Sequence, residues 1–172
     1  MENLKADIMP NILRLELTNT CNLKCPHCRH HSDEKRNSPE YPEYYRVGFH
    51  MSREQVKSIF DEIGPYKPSV TLNAANEPMI AKQFRFAVEQ VKKHGCSGTF
   101  NTNGLLLNKS NCEFLVEQKY DSVNISIDAT TPETLKKARG ITALDKLIRN
   151  VKLLKEIRGN NMFPRIGVTF VV

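Results

Sequence analysis

Short apolar runs alternate with amphipathic stretches along this 172-residue chain, and this alternation is the feature that most constrains its fold. Five runs have the length and composition of strands, at residues 12–17, 69–73, 98–101, 122–127 and 166–172. Most of the segments between them show the apolar spacing of helices. Repeated strand–helix units with short connections predict an α/β fold with a parallel sheet, in which right-handed crossovers curl successive units the same way.

Helix starts are predicted where a side chain can cap the first turn. The candidate caps are Ser52 with Gln55, Ser110 with Glu113, Thr131 with Pro132, and Thr142 with Asp145. Residues 29–50 are polar and contain two prolines and three tyrosines, which predicts a long loop. We expect His30, His31, Tyr44 and Tyr45 to lie at the surface of this mobile connection.

The composition narrows the class of protein. Apolar residues make up 40% of the chain and charged residues 26%, which are ordinary globular values. No apolar run has the length of a membrane span, the N-terminus does not resemble a secretory signal, and five cysteines argue against a disulfide framework. We therefore expect a cytoplasmic protein that does not bind a membrane.

The net charge of +6 is concentrated between residues 136 and 165. No RNA- or DNA-binding motif accompanies these charges, so we interpret them as the solvated face of a helix and expect no nucleic-acid partner.

Three cysteines, Cys21, Cys25 and Cys28, lie in one short loop after the first predicted strand. Three thiolates in one loop can hold three irons of a [4Fe–4S] cluster and leave the fourth iron open to a ligand. Two other chemistries remain open. A zinc-binding interaction module would recruit a nearby histidine, although structural zinc sites commonly pair two such knuckles. A thioredoxin-like thiol oxidoreductase would use Cys25 and Cys28 and leave Cys21 without a role.

Polar segments follow three of the later predicted strands. They are Ala75-Asn76-Glu77-Pro78, Asn101-Thr102-Asn103-Gly104 and Ser126-Ile127-Asp128. Barrel enzymes place their active sites at the carboxyl ends of their strands, so these segments are candidates for one site. Because side chains alternate along a strand, Asn124, Ser126 and Asp128 are predicted to share the interior face.

With these cysteines and strand-end segments, the chain resembles the radical S-adenosylmethionine (SAM) superfamily over nearly its whole length. The resemblance implies a partial (βα)₆ barrel of the TIM type, of which about five βα units are present. Residues 1–172 would then form one radical SAM core domain that is truncated after the fifth strand. A sixth strand and any auxiliary-cluster domain would be absent.

The resemblance also implies site residues. Cys21, Cys25 and Cys28 would be the cluster ligands. The predicted cofactor-binding residues are His27, Ala75, Asn76, Glu77, Asn101, Asn103, Ser126, Asp128 and Arg139. In the family, a Gly-Gly-Glu-Pro run holds the SAM amino group, and here Ala75 and Asn76 replace both glycines. His27 would lie near the adenine, and Arg139 would face the methionine carboxylate.

In this family, the cluster and SAM are the cofactors. Reductive cleavage of SAM yields a 5′-deoxyadenosyl radical, which abstracts hydrogen from a substrate without a general acid or base. The run from Ser126 to Thr134 resembles the SPASM/twitch subgroup. That resemblance predicts a peptide substrate, as in the maturation of ribosomal peptides, or a sugar. A one-electron donor such as flavodoxin or ferredoxin is the implied protein partner.

Overall fold

A computed structural model describes residues 11–170, and its centre is one parallel sheet with the strand order β1-β2-β3-β4-β5. The strands are β1 (Ile12–Arg14), β2 (Ser69–Thr71), β3 (Ser97–Thr102), β4 (Ser122–Ser126) and β5 (Arg165–Thr169). Each strand pairs in parallel with the next strand along the chain. This order confirms the predicted α/β fold and the partial barrel of five βα units.

Helices occupy the connections between these strands. They are α1 (Asp33–Arg36), α2 (Glu43–Arg46), α3 (Arg53–Ile63), α4 (Phe84–Lys93), α5 (Lys109–Glu117), α6 (Pro132–Arg139) and α7 (Leu144–Arg158). Two 3₁₀ turns, Gly64–Tyr66 and Pro78–Ile80, precede β2 and α4. The basic side chains of α7 are largely exposed, as expected for a solvated helix face. No helix within residues 11–170 has the length and apolar character needed to span a bilayer.

The core lies between the sheet and the helices. Phe100 is fully buried at the centre of β3, with Phe84 of α4 edge-on to it at 5.1 Å and Tyr120 at 5.5 Å between ring centroids. Gly98 permits this packing, because a Cβ atom there would lie 2.5 Å from the Tyr120 ring and 2.7 Å from Val91. The packed aromatic centre fixes β3 and thus the polar segment that follows it.

Strands β1 and β2 end earlier than predicted, and a backbone contact explains the first end and a side-chain contact the second. Leu15 still donates its N–H to Thr71 at 2.8 Å, but the Leu17 carbonyl accepts from Met51 at 3.0 Å, so the chain has left β2 there. Past β2, the Asn73 side chain accepts the N–H of Asn101 at 2.9 Å. A side chain thus replaces the backbone ladder at the carboxyl edge of the sheet.

Two of the predicted helix caps are correct. Ser52 and Gln55 form a capping box, and Thr131 caps α6 ahead of Pro132.

The other two predicted caps are wrong. Asn108, not Ser110, caps α5 by accepting the N–H of Asn111 at 3.0 Å, and Ser110 instead accepts from the Arg85 guanidinium at 2.7 Å. Helix α7 begins at Leu144 with no side-chain cap.

The segment predicted as a mobile loop, residues 29–50, is held by a buried asparagine. The Asn19 amide donates to the carbonyls of Tyr44 and Val47, and its oxygen accepts the N–H of Phe49 at 2.7 Å. Thr18 adds a bond to the Phe49 carbonyl at 2.7 Å. The segment contains α1 and α2 and is tied by these bonds to the chain that follows β1.

Strand β5 ends at Thr169, before the predicted boundary. Val171 and Val172, which the sequence placed in this strand, lie outside the described residues, as do residues 1–10.

Candidate active site

A cavity of about 360 Å³ opens at the carboxyl edge of the sheet, within the size range of small-molecule sites. Its wall combines the cysteine loop with the polar segments after β2, β3 and β4. The lining residues are Cys21, Leu23, Cys25, His27, Cys28, Arg29, His30, Asn73, Ala74, Ala75, Asn76, Glu77, Asn101, Thr102, Asn103, Ser126 and Arg139. Three thiols therefore face the same space as the predicted SAM-binding segments.

The cysteine loop is held by hydrogen bonds to its own backbone and sulfur atoms. The N–H of Cys28 donates to the Cys25 carbonyl at 2.9 Å, which closes a tight turn. The sulfur of Cys21 accepts the N–H of Leu23 at 3.5 Å, and that of Cys28 accepts the N–H of His31 at 3.3 Å. N–H donors on cysteine sulfur are a feature that stabilises thiolates bound to iron–sulfur clusters.

The raised pKa of the Cys25 thiol is the opposite of what thiol–disulfide exchange uses. Burial raises the pKa of Cys21 to about 11, and it raises the pKa of Cys25 although the Arg139 guanidinium acts in the opposite direction. Exchange enzymes lower the pKa of the attacking thiol. All five cysteines are free thiols in this structure.

The three thiols also do not converge on one point. Within residues 11–170, no three His, Cys, Asp or Glu side chains are grouped so as to hold a single metal ion. A cubane binds each thiolate at a separate iron, so its ligands need not converge in this way. Three soft thiolate donors around one cavity, two of them with N–H donors, fit a cluster of that kind.

Glu77 is 2% exposed, and both of its carboxylate oxygens accept hydrogen bonds. One oxygen accepts from the Thr102 hydroxyl at 2.9 Å and the Met79 N–H at 3.2 Å, and the other from the Asn103 N–H at 2.8 Å. Burial raises the pKa of Glu77, while these three donors and Arg139 act to lower it. Glu77 thereby joins the segments after β2 and β3 beneath the cavity.

Two more hydrogen bonds join the cysteine loop to the sheet. His31 is 4% exposed, and its Nε2 hydrogen-bonds the Asn76 side-chain oxygen. The Asn103 amide donates to the Asn22 side chain at 2.7 Å. Burial lowers the pKa of His31, so its imidazole is neutral at pH 7. The cysteine loop is therefore tied to both strand-end segments.

Ser126, Asp128 and Arg139 occupy different positions relative to the cavity. Ser126 and Arg139 line it, whereas Asp128 is not among the lining residues within the described chain. The Asp128 carboxylate instead forms an ion pair with Arg139. Asn124 was predicted to share a face of β4 with Ser126, and its amide donates to the hydroxyl of Thr99 on the neighbouring strand β3 at 3.3 Å.

The structure thus brings together the three predicted ligands and every predicted cofactor-binding residue except Asp128. Sequence reasoning missed Asn73, Arg29 and His31, which was expected at the surface. Arg29 follows the last cysteine directly and Asn73 ends a predicted strand, so the position of each in the sequence could have identified it as a site residue. The burial of His31 depends on Asn76, 45 residues away, and had no local signal.

Known proteins resemble this chain in sequence. The profile of the Radical SAM superfamily, whose enzymes use a [4Fe–4S] cluster and SAM, matches residues 15–171. Mycofactocin maturase MftC of Mycobacterium tuberculosis is 30% identical over 145 residues, which are 84% of this chain and 34% of that protein. A probable GTP 3′,8-cyclase of Methanocaldococcus jannaschii is 26% identical over 141 residues, 81% of this chain and 44% of that enzyme. The chain thus spans less than half the length of these curated relatives.

Solved structures share the fold. The structure of anSMEcpe with bound AdoMet superposes with a TM-score of 0.72 at 24% identity, covering 94% of this chain and 44% of that one. Streptococcus suis SuiB bound to precursor peptide SuiA gives 0.72 at 18% identity, covering 94% and 33%. The cysteine loop, the strand-end segments and the profile match over residues 15–171 agree, and the chain belongs to the radical SAM superfamily of enzymes.

Proposed function

We propose that this chain is the core of a radical SAM enzyme that binds a [4Fe–4S] cluster and SAM and modifies a peptide. The observation that carries the proposal is the shared cavity, in which Cys21, Cys25 and Cys28 face the segments that follow β2, β3 and β4. When bound, the two cofactors supply a 5′-deoxyadenosyl radical that abstracts hydrogen from the substrate. The protein supplies position, charge and protection from water.

The three cysteines are assigned as cluster ligands. The hydrogen bonds of Asn22, His31 and their partners hold the loop against the sheet, so the sulfur positions are set by the fold. Because metal ligation requires thiolates, the raised pKa of Cys21 means that cluster assembly releases its proton.

The SAM-binding roles are assigned to other residues of the cavity wall. Ala75, Asn76 and Glu77 offer backbone and side-chain oxygens to an ammonium group, and Glu77 adds negative charge near it. Asn101, Asn103 and Ser126 present hydrogen-bonding side chains, and His27 presents a flat imidazole for an adenine. Asp128 acts through Arg139, whose guanidinium can bind a carboxylate.

A peptide is the proposed substrate class. The mycofactocin maturase relative and the SuiB structure with a bound precursor peptide support this class, although each is much longer than this chain. The cavity is open, and the half-buried ring of Tyr45 lies beside His30, which lines the cavity, with 4.9 Å between the ring centroids. The electron donor, a flavodoxin or a ferredoxin, stays a prediction of the resemblance, as does the cytoplasmic location.

The first test is anaerobic reconstitution with iron and sulfide, followed by reduction and electron paramagnetic resonance (EPR) spectroscopy. We expect a [4Fe–4S]⁺ signal that shifts on addition of SAM and is lost in Cys21→Ala. Cys96→Ala is the matched control, because Cys96 is a buried cysteine outside the loop and should leave the signal unchanged.

Other results would select a different chemistry. Tight zinc binding without any cluster would favour the zinc module, and a Cys25–Cys28 redox couple that survives Cys21→Ala would favour the oxidoreductase. The third outcome concerns the substrate. If the cluster responds to SAM but precursor peptides do not stimulate the release of 5′-deoxyadenosine, only the assignment of a peptide substrate would be overturned.

A further inference from the structure

A buried ion pair stands at the edge of the cavity. The Asp128 side chain is 1% exposed and that of Arg139 is 13% exposed. Burying both charges costs desolvation, so such a pair is weak evidence for a gain in stability. The pair lies at the cavity wall, and the guanidinium of Arg139 makes a further contact in addition to the one with Asp128.

The path of the backbone places Arg139 beside the cysteine loop. Asp128 adopts a left-handed conformation, with φ of 58°, two residues after the end of β4. Helix α6 ends at Gly140, where an added Cβ would lie 3.7 Å from the Lys24 carbonyl and 3.8 Å from Pro26. The end of α6 therefore lies against the cysteine loop. There the Nη2 atom of Arg139 pairs with Asp128, and its Nη1 atom donates to the Cys25 sulfur at 3.9 Å.

This contact makes Cys25 different from the other two cysteines. The sulfurs of Cys21 and Cys28 accept neutral backbone N–H groups, whereas Cys25 receives a cationic side chain. Within residues 11–170, the Nε of Arg139 has no hydrogen-bond partner, so the guanidinium retains a donor beyond these two contacts. Arginine stays protonated at every pH at which the protein is folded.

We propose that Arg139, oriented by Asp128, raises the reduction potential of the cluster by placing a permanent cation at the Cys25 ligand. The proposal rests on the proposed function, since it requires the cluster. One-electron reduction makes the cluster and its thiolates one charge more negative. A cation and a hydrogen-bond donor at one sulfur stabilise that reduced form over the oxidised form. Asp128 is a positioning residue, because it acts on the cluster only through the arginine.

The test is a potentiometric titration of the reconstituted protein, followed by EPR in the absence of SAM. In Arg139→Gln we expect the midpoint potential to fall, on the order of a tenfold change in the ratio of oxidised to reduced cluster, which corresponds to 59 mV for one electron. Arg139→Lys keeps the charge without the planar fork, so its midpoint should fall by less. Lys137→Gln removes an exposed cation from the same helix and should not change the potential.

A double variant separates the contact from the local net charge. Arg139→Gln alone removes the ion-pair partner of a buried carboxylate, which disturbs both the charge and the fold. Arg139→Gln with Asp128→Asn restores the net charge and keeps a residue that tolerates the left-handed backbone. Removing the Asp128 charge should raise the potential partly from that of the single variant, but we expect it to stay below the wild-type potential, because the cation at the Cys25 sulfur is still missing. A return to the wild-type potential would overturn the proposal.

The remaining outcomes are also decisive. Wild-type potentials in all Arg139 variants, with weakened SAM binding only, would assign the guanidinium to SAM alone and overturn the inference while the proposed function stands. A wild-type protein that takes up no cluster would overturn the proposed function and this inference with it.

Discussion

Single residues in this site act by joining segments that are distant in sequence. Glu77 is the clearest case, because its two oxygens bind donors from its own segment and from the segment after β3. The family resemblance assigns this glutamate to the SAM amino group. The structure shows that it also fixes the backbone of Asn103, so its loss should affect folding as well as binding.

Glu77→Ala should destabilise the protein by roughly 2–4 kcal/mol, because the buried hydroxyl of Thr102 and N–H of Asn103 lose their acceptor. Thermal unfolding of the cluster-free protein measures this loss. Glu89→Ala, which removes an exposed carboxylate from α4, is the control and should change the unfolding temperature little. An equally stable Glu77→Ala variant would show that the carboxylate serves ligand binding only.

The wild type and Glu77→Ala should also differ in how their free energy of unfolding depends on pH. Burial raises the pKa of Glu77 above its ordinary value of 4.5, so the folded state holds this proton more tightly than the unfolded chain does. The stability difference between wild type and Glu77→Ala is therefore largest below about pH 4.5 and decreases as the pH rises through the folded pKa. A difference that instead grows over this range would contradict the raised pKa.

At the scale of elements, the segment 29–50 depends on a residue outside itself. Asn19 makes three hydrogen bonds to its backbone. The helices α1 and α2 are single turns, too short to be stable alone. The segment that borders the cavity is therefore ordered by Asn19, Thr18 and the aromatic packing around Tyr45.

Asn19→Ala should loosen this segment and leave the sheet intact. Amide hydrogen exchange should then accelerate in residues 41–50, while β3 and β4 keep their protection. Asn160→Ala, at an exposed position after α7, is the matched control. Unchanged exchange in residues 41–50 would mean that Thr18 and the aromatic contacts hold the segment without the Asn19 side chain.

The elements that the sequence predicted well are those with a local signal. Apolar runs marked all five strands, and the polar residues that follow three of them marked most of the cavity wall. Caps were predicted less well, because Asn108 and Ser110 are close competitors and the contact of Ser110 with Arg85 comes from tertiary packing. Two contacts in the site have no local signal in the sequence. The His31–Asn76 pair links residues 45 positions apart, and the Arg139–Asp128 pair links residues 11 positions apart.

At the scale of the whole molecule, the core and the cysteine loop are nearly independent. The buried cluster of apolar residues is built mainly by the strands and by the helices α3 to α7. Of the three loop cysteines, only Cys25 is buried, and none belongs to that core cluster. The loop is instead held by polar contacts such as those of Asn103 and His31.

The triple variant Cys21→Ala, Cys25→Ala and Cys28→Ala should therefore fold cooperatively. Its unfolding temperature should lie within a few degrees of that of the cluster-free wild type, since each change removes one sulfur from a partly open wall. Circular dichroism during heating measures both. Loss of cooperative unfolding would show that the cysteines support the fold itself.

The ties of Asn103 and His31 to the cysteine loop have a consequence for the protein after exposure to air. Oxygen attacks exposed iron–sulfur clusters, and a protein whose fold needs the metal would then unfold. Here hydrogen bonds that involve no metal hold the loop to the sheet through Asn22 and Asn76. We therefore expect the binding surface to keep its shape after oxidative loss of iron, so that the cofactor can be rebuilt in place without synthesis of a new polypeptide.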